Sequence, residues 1–275
     1  MYKILEKRDL NSTVTAFVLE APLIARKVKA GQFVIVKIDE VGERIPLTVA
    51  EFDSEKGTIT IIFQAVGFTT KRMQFLQVGD YIADVAGPLG MPTEFGEPKK
   101  AIVIGGGVGC AIAFPQAKTL HKMGVSVDII AGFRSKDILI LEDEMREVCD
   151  NLYITTDDGS YGEKGLVTDV LKRLLSADNY DLVIAIGPIP MMKFVSLATK
   201  EFGVKTIVSL NPIMIDGTGM CGGCRVRVGD EVKFACVDGP DFDGHLVDFD
   251  GLMRRNTFYR EEENHICRMR GVQHG

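Results

Sequence analysis

No stretch of this chain approaches the roughly 20 consecutive apolar residues that a membrane-spanning helix needs, so no span is expected. It has no block of lysine and arginine either: 32 basic residues stand against 38 acidic ones, a net charge of −6. Phosphate backbones are held by clustered cations, so a nucleic-acid surface is not expected. Internal repeats and low-complexity tracts are missing. With 25% charged and 46% hydrophobic residues, the composition is that of a folded chain rather than a disordered one. Met1 to Lys7 is broken by charges and has no long apolar core, so a signal peptide is not expected and the chain reads as cytoplasmic. Histidine is scarce, and His121, His245, His265 and His274 stand apart, which argues for surface residues and against a catalytic dyad or triad.

What is present changes texture twice along the 275 residues, in keeping with two or three small domains. Residues 1–97 hold short runs rich in Val, Ile, Thr and Phe: 13–20, 32–38, 47–52, 58–64 and 81–85. Gly and polar residues punctuate them, the pattern of a small antiparallel barrel. From 98 to 210 strands alternate with helices. Strands are expected at 101–104, 126–131, 151–155, 181–186 and 205–210, and helices up to about 123 and over 166–175 and 191–201. That alternation predicts a doubly wound parallel sheet. Residues 211–275 are rich in Gly and Cys and end in a polar tail.

Gly105-Gly106-Gly107-Val108-Gly109-Cys110 separates the first of these strands from its helix. Glycines allow a sharp turn and a close approach to pyrophosphate, and the helix N-terminus adds free N–H groups. The dinucleotide fingerprint is only half met. Cys110 stands at its third glycine, and Gly132, Phe133 and Arg134 occupy the end of the second strand, where a ribose-binding acid would sit. Gly187-Pro188, and Thr155 to Ser160 with Asp157, also fall at C-terminal strand ends, where ligands gather in open parallel sheets. Acids there would repel a 2′-phosphate and favour NADH over NADPH. Cys110 at a helix start is open to a lowered pKa, or to a packing role.

Six cysteines in a reducing compartment are not expected to form disulfides. Three of them, Cys221, Cys224 and Cys236, crowd together amid glycines. Plant-type [2Fe–2S] ferredoxins use C-x4-C-x2-C and a distant fourth cysteine. On that spacing the first ligand falls on Asp216. The reading is a [2Fe–2S] cluster on Asp216, Cys221, Cys224 and Cys236, in which a carboxylate would alter the iron's electronics. Two alternatives stay open. One is a cluster completed by Cys267, Cys110 or Cys149; the other is a structural zinc on the three clustered cysteines plus Asp216 or His245.

In the first region Arg44 precedes Pro46-Leu47-Thr48, where a cation can pair with pyrophosphate and a hydroxyl can reach a flavin N5. Gly67-Phe68-Thr69-Thr70 reads as a turn into a helix start, a second anion site.

The order barrel, nucleotide sheet, iron–sulfur module resembles the ferredoxin-reductase-like flavoprotein family over nearly the whole chain. Within it the chain is similar to electron-transfer subunits of dihydroorotate dehydrogenase and to small subunits of NADH-dependent ferredoxin–NADP oxidoreductase. The family's Arg-x-Tyr-Ser/Thr flavin motif is matched at Leu47-Thr48, while Ile45 takes the arginine's place and Arg44 is displaced by one. Gly67 to Thr70 resembles the second flavin loop, Gly87-Pro88-Leu89-Gly90 the interdomain segment, and Gly106 to Gly109 with Gly187-Pro188 the nicotinamide loops. Dihydroorotate-type subunits carry four cysteines, so Asp216 is similar to the ferredoxin–NADP oxidoreductase small subunits. The resemblance implies FAD, NAD(H) and a [2Fe–2S] cluster, hydride transfer by positioning alone, and a larger flavin and iron–sulfur partner subunit that serves ferredoxin. It also implies electron bifurcation in the complex. The tail from Arg260 to Cys267 would be solvated or touch that partner. Rival expectations are a stand-alone diaphorase and a non-enzymatic zinc or nucleotide redox regulator.

Overall fold

The computed structural model describes residues 1–258 together with Glu261, Glu262, His265 and Met269. Cys267 and His274, and Arg260, Glu263, Asn264 and Ile266 of the tail, lie outside the described residues.

Seven strands build the first region: β1 (Tyr2–Asp9), β2 (Val14–Glu20), β3 (Phe33–Lys37), β4 (Ile45–Asp53), β5 (Thr58–Gln64), β6 (Tyr81–Ile82) and β7 (Asp84–Leu89). Their order in the sheet is β6-β1-β2-β5-β4-β3-β7, and all pairings are antiparallel. The two outermost strands, β6 and β7, are separated in sequence by Ala83 alone. A sheet whose ends are consecutive in the chain must curl back on itself, and this one forms a barrel. Strand alternation fills it: Phe17 and Leu19, Val34 and Val36, and Ile59, Ile61 and Phe63 point into one core. Phe17 and Phe63 meet edge to face at 5.1 Å. Two helices accompany the barrel, α1 (Pro22–Ala25) and α2 (Phe68–Phe75).

The second region alternates β8 (Lys100–Gly106), α3 (Cys110–Lys122), β9 (Ser126–Phe133), α4 (Glu142–Arg146), β10 (Asn151–Thr156), β11 (Glu163–Lys164), α5 (Val167–Ala177), β12 (Leu182–Ile186), α6 (Ile189–Glu201) and β13 (Lys205–Ser209). Strands 8 to 13 pair in parallel. Near-continuous apolar runs suit a sheet covered on both faces, and the residues divide by alternation. Ala101, Val103, Ile129 and Ile184 face α3, whose Ala111, Phe114, Ala117 and Leu120 form one stripe. Ile102, Ile104, Ile130, Val183 and Ala185 face α5 and α6. The chain winds from β8 outward to β11, then returns to β12 on the other side of β8. The switch point thus lies between β8 and β12, where parallel sheets open a crevice.

The remaining strands are β14 (Arg225–Val228), β15 (Glu231–Phe234) and β16 (Asp241–Asp243), followed by α7 (Phe249–Arg255). β14 and β15 form a hairpin. β16 leaves it and pairs antiparallel with β13, so the cysteine-rich stretch returns a strand to the second sheet. Cys224, Val226, Ala235 and Cys236 share a core with Phe33 and Ile35, the residues of β3 that point out of the barrel. The three regions therefore meet around β3.

Candidate nucleotide, flavin and cluster sites

The two glycine loops at the switch point are packed backbone to backbone. A Cβ added at Gly109 would lie 2.4 Å from Ile186 O and 2.9 Å from Gly187 Cα. One at Gly106 would lie 2.9 Å from Pro188 Cδ, and one at Gly187 3.0 Å from Gly106 Cα. These glycines are thus required by the contact of one loop with the other. Gly107 is different: it has a φ of 56° and nothing within 4 Å of an added Cβ. Its missing side chain leaves open space beside half-buried Val108, just before the N-terminus of α3. Pro188 is the N-cap of α6.

Along the same strand ends, Thr156 is fully buried and its hydroxyl donates to Tyr161 O at 2.6 Å. Asp158 accepts from Ser160 N (2.9 Å) and Ser160 Oγ (2.6 Å), and these donors hold its carboxyl below the usual range. Asp157 is exposed, and its N–H donates to Phe133 O at 3.1 Å. This joins the loops after β9 and β10, so Arg134 stands beside the acids.

In the barrel, Ile45 to Thr48 pair with β3 alone: the β4–β5 ladder begins only at Val49. One edge of this half-buried segment is therefore open, and Glu43, just before it, reaches the start of α2. Glu43 and Thr69 set that approach, because the Thr69 hydroxyl donates to Glu43 Oε2 at 2.7 Å. Thr70 accepts from Gly67 N (3.0 Å) and Val66 N (3.1 Å), closing the turn into α2. Thr69 and Thr70 thus shape the loop through protein contacts, and the Glu43 link was not legible in the sequence. Arg44 is exposed and Thr48 half-buried, and neither side chain has a protein partner among the described residues. A free guanidinium and a free hydroxyl at the two ends of an open strand segment fit an elongated anionic cofactor.

The cluster loop is closed by Asp216, whose Oδ1 accepts from Thr218 N and Oδ2 from Cys221 N, each at 2.9 Å. Those donors keep its carboxyl ionised to below the usual range. Gly219 N points at Cys236 Sγ (3.1 Å) and Gly223 N at Cys221 Sγ (3.4 Å). Cys224 and Cys236 Sγ are 3.3 Å apart. Burial and the neighbouring Cys224 thiol push the Cys236 thiol up. Two buried thiols in contact, with amides aimed at sulfur, fit a cationic centre that holds thiolates. The four residues do not close into a compact cage: among the described residues no three His, Cys, Asp or Glu are grouped to hold a single ion.

Cys110, Cys149 and His245 take packing or structural roles. Burial pushes the Cys110 thiol up to about 12, so the helix start does not activate it; its Sγ packs against Gly105. Cys149 is pushed up to about 11, also by burial first. Both belong to the core on the α3 face, whereas Cys224 and Cys236 belong to the opposite core, so neither completes the cluster. His245 Nε2 lies 3.0 Å from Thr199 Oγ1 on α6, which gives the ring a structural partner.

The cluster loop also touches the barrel. A Cβ on Gly217 would lie 2.8 Å from Ile35 Cγ1 and 3.0 Å from Leu89 Cδ1. Ile35 is paired across the ladder with Pro46. One strand thus separates the cluster loop from the open segment of β4.

Residues 211–248 match the family model for the iron–sulfur cluster binding domain of dihydroorotate dehydrogenase B. A Clostridium beijerinckii protein described as an uncharacterized protein in the adh 3' region is 54% identical, covering 96% of this chain and 92% of that one. A Thermotoga maritima homolog of the dihydroorotate dehydrogenase B (NAD(+)) electron transfer subunit is 46% identical, with 95% and 92% covered. Among solved structures, a chain from work on flavin-based electron bifurcation by an NADH-dependent reduced ferredoxin–NADP oxidoreductase superposes with a TM-score of 0.94. It is 44% identical and covers 99% of this chain and 98% of its own.

Proposed function

The chain belongs to the ferredoxin-reductase-like family that includes the electron-transfer subunits of dihydroorotate dehydrogenase B, and on that footing we propose how its parts divide the work. It is a flavin and iron–sulfur oxidoreductase subunit that uses FAD, NAD(H) and a [2Fe–2S] cluster and works with a larger catalytic partner. Our reading is that residues 1–97 hold FAD, 98–210 hold NAD(H) and 211–275 hold the cluster. The finer assignment is to an electron-bifurcating NADH-dependent ferredoxin–NADP oxidoreductase in the cytoplasm. Asp216, where a fourth cysteine would stand, supports that choice over a dihydroorotate-type subunit.

One observation carries the reading: the cluster loop rests on Ile35, whose ladder partner Pro46 belongs to the open flavin segment. Bound FAD supplies the change from two-electron hydride chemistry to one-electron transfer. The protein's share is positioning. Gly107 leaves room for a pyrophosphate over the α3 N-terminus, and the Gly106, Gly109 and Gly187 contacts keep that cradle rigid. Arg44 would neutralise the flavin pyrophosphate, and Thr48 would hydrogen-bond the ring. Pro46 and Leu47 wall the segment, and Gly67 admits the chain into α2. Asp157 selects against a 2′-phosphate. Asp216, Cys221, Cys224 and Cys236 would hold the cluster, with Gly219 and Gly223 N–H groups lowering the charge felt at sulfur. No side chain needs to move a proton.

The test is anaerobic purification with flavin, iron, sulfide and zinc assayed per chain, followed by electron paramagnetic resonance after NADH. About one FAD, two irons and two sulfides, with a reduced [2Fe–2S] signal, are expected on the ligand stoichiometry above. One zinc with no flavin and no signal would overturn the reading.

A further inference from the structure

Gln116 and Asp241 meet where the three regions converge, and their meeting leaves two polar atoms unpaired. Gln116, fully buried on α3, donates from Nε2 to Asp241 Oδ2 at 3.2 Å. Thr93, on the segment leaving the barrel, donates its hydroxyl to the same oxygen. Ser209, the ladder neighbour of Asp241 on β13, also sets its hydroxyl against the carboxyl. Close by, Met91 N donates to Gly239 O at 2.6 Å. Yet Gln116 Oε1 and Asp241 Oδ1 are both buried and have no partner among the described residues.

Leaving two buried acceptors unsatisfied costs the desolvation of each with nothing gained in return. An ionised carboxylate is costlier still without a cation. The other titratable groups near it, Glu94, Lys205, Asp238 and Asp243, border an adjoining cleft, and none forms an ion pair with Asp241. A single proton resolves the arrangement. A carboxylic acid facing a primary amide closes a ring, with N–H to one carboxyl oxygen and O–H from the other to the amide oxygen.

We propose that Asp241 is carried as a neutral carboxylic acid that donates Oδ1–H to Gln116 Oε1, and that this pair is the joint fixing the segment beyond Cys236 to the nucleotide sheet and the barrel linker. Burial, which pushes the Asp241 carboxyl up against its three hydrogen-bond donors, acts in the same direction. Asp241 is a positioning residue here: among the described residues its hydrogen-bond partners are Gln116, Thr93 and Ser209, none of them in a nucleotide loop or among the cluster ligands.

The folded chain keeps a proton that the unfolded chain releases above 3.8. The joint is at full strength below that pH and weakens as pH rises toward the raised folded pKa. D241N keeps the shape, offers Nδ2–H to Gln116 Oε1 and does not titrate. In the full-length holoprotein, the ratio of wild-type to D241N folding constants should therefore fall about tenfold per pH unit in that window. The infrared difference between wild type and D241N at pH 7 should contain a protonated-carboxyl carbonyl band. Gln116→Met should move that band by removing its partner. A difference spectrum with carboxylate bands only, together with a pH-independent ratio, would overturn the proposal and leave an ionised Asp241 held by Ser209 and Thr93. Should D241N fail to fold, the wild-type minus Gln116→Met spectrum decides: a shifted protonated-carboxyl band supports the joint, and its absence overturns it.

Discussion

Alanine at Gly107 and at Gly109 should fail in different ways, and the contrast tests the nucleotide cradle. Gly109 has a helical φ of −58°, so alanine suits its backbone, but the new methyl would meet Ile186 O at 2.4 Å and Gly187 Cα at 2.9 Å. Both atoms are backbone and cannot rotate away. Overpacking of this kind costs about 1–3 kcal/mol, and the lack of a yielding side chain puts G109A at the upper end. At roughly 2–4 °C per kcal/mol for a chain of this size, its melting temperature should drop by about 6–12 °C. Gly107 meets nothing within 4 Å, and its only penalty is the φ of 56°. A left-handed conformation costs a non-glycine residue about 1–2 kcal/mol, so G107A should lose about 2–8 °C. Its methyl would project into the cradle, and losing about 1.4 kcal/mol of contact there weakens NADH binding tenfold. Thermal unfolding and NADH titration of the flavin-loaded protein give both quantities. G107A binding NADH within twofold of wild type would refute the cradle. G109A melting with wild type would refute the packing argument.

Tyr180 donates to Asp128 Oδ2 at 2.6 Å in the sheet's α5–α6 flank. Y180F leaves that oxygen short of a donor and should cost about 1–3 kcal/mol in a denaturant titration with flavin content unchanged; no loss would mean water replaces the phenol. Cys110, with its thiol at about 12, should resist iodoacetamide near neutral pH until the chain unfolds; mass spectrometry showing equal labelling of native and unfolded protein would contradict its packing role. D216C should retain iron and sulfide but change the resonance spectrum, whereas D216A should lose iron; a D216A spectrum identical to wild type would remove Asp216 from the ligands.

Legibility followed the range of the interactions involved. β8, β9 and β12 were readable because strands buried on both faces are unbroken apolar runs, and parallel winding brings their C-terminal ends to one crevice. Gly105 to Gly109 and Gly187 were therefore visible as one site. β1 was not expected, because Lys3, Glu6, Lys7 and Arg8 mask a strand in which only Ile4 is fully buried. The hairpin of β14 and β15 is too short and exposed to show a period. Spacing suggested Asp216 and the cysteines, because their loop is local. The Glu43–Thr69 link and the Gln116–Asp241 pair join residues 26 and 125 positions apart, and no local pattern announces them.

The strand β16 has a consequence for dissecting this chain. It covers the outer flank of β13, whose Thr206 to Ser209 are otherwise buried. Ending the chain after residue 210 would not yield a clean two-part reductase. It would expose a row of unpaired amides and carbonyls beside apolar side chains, a template for strand addition between molecules. A truncated protein should therefore aggregate even with flavin and nucleotide bound. An engineered version would need a charged or proline-bearing edge on β13 before the cluster segment could be removed.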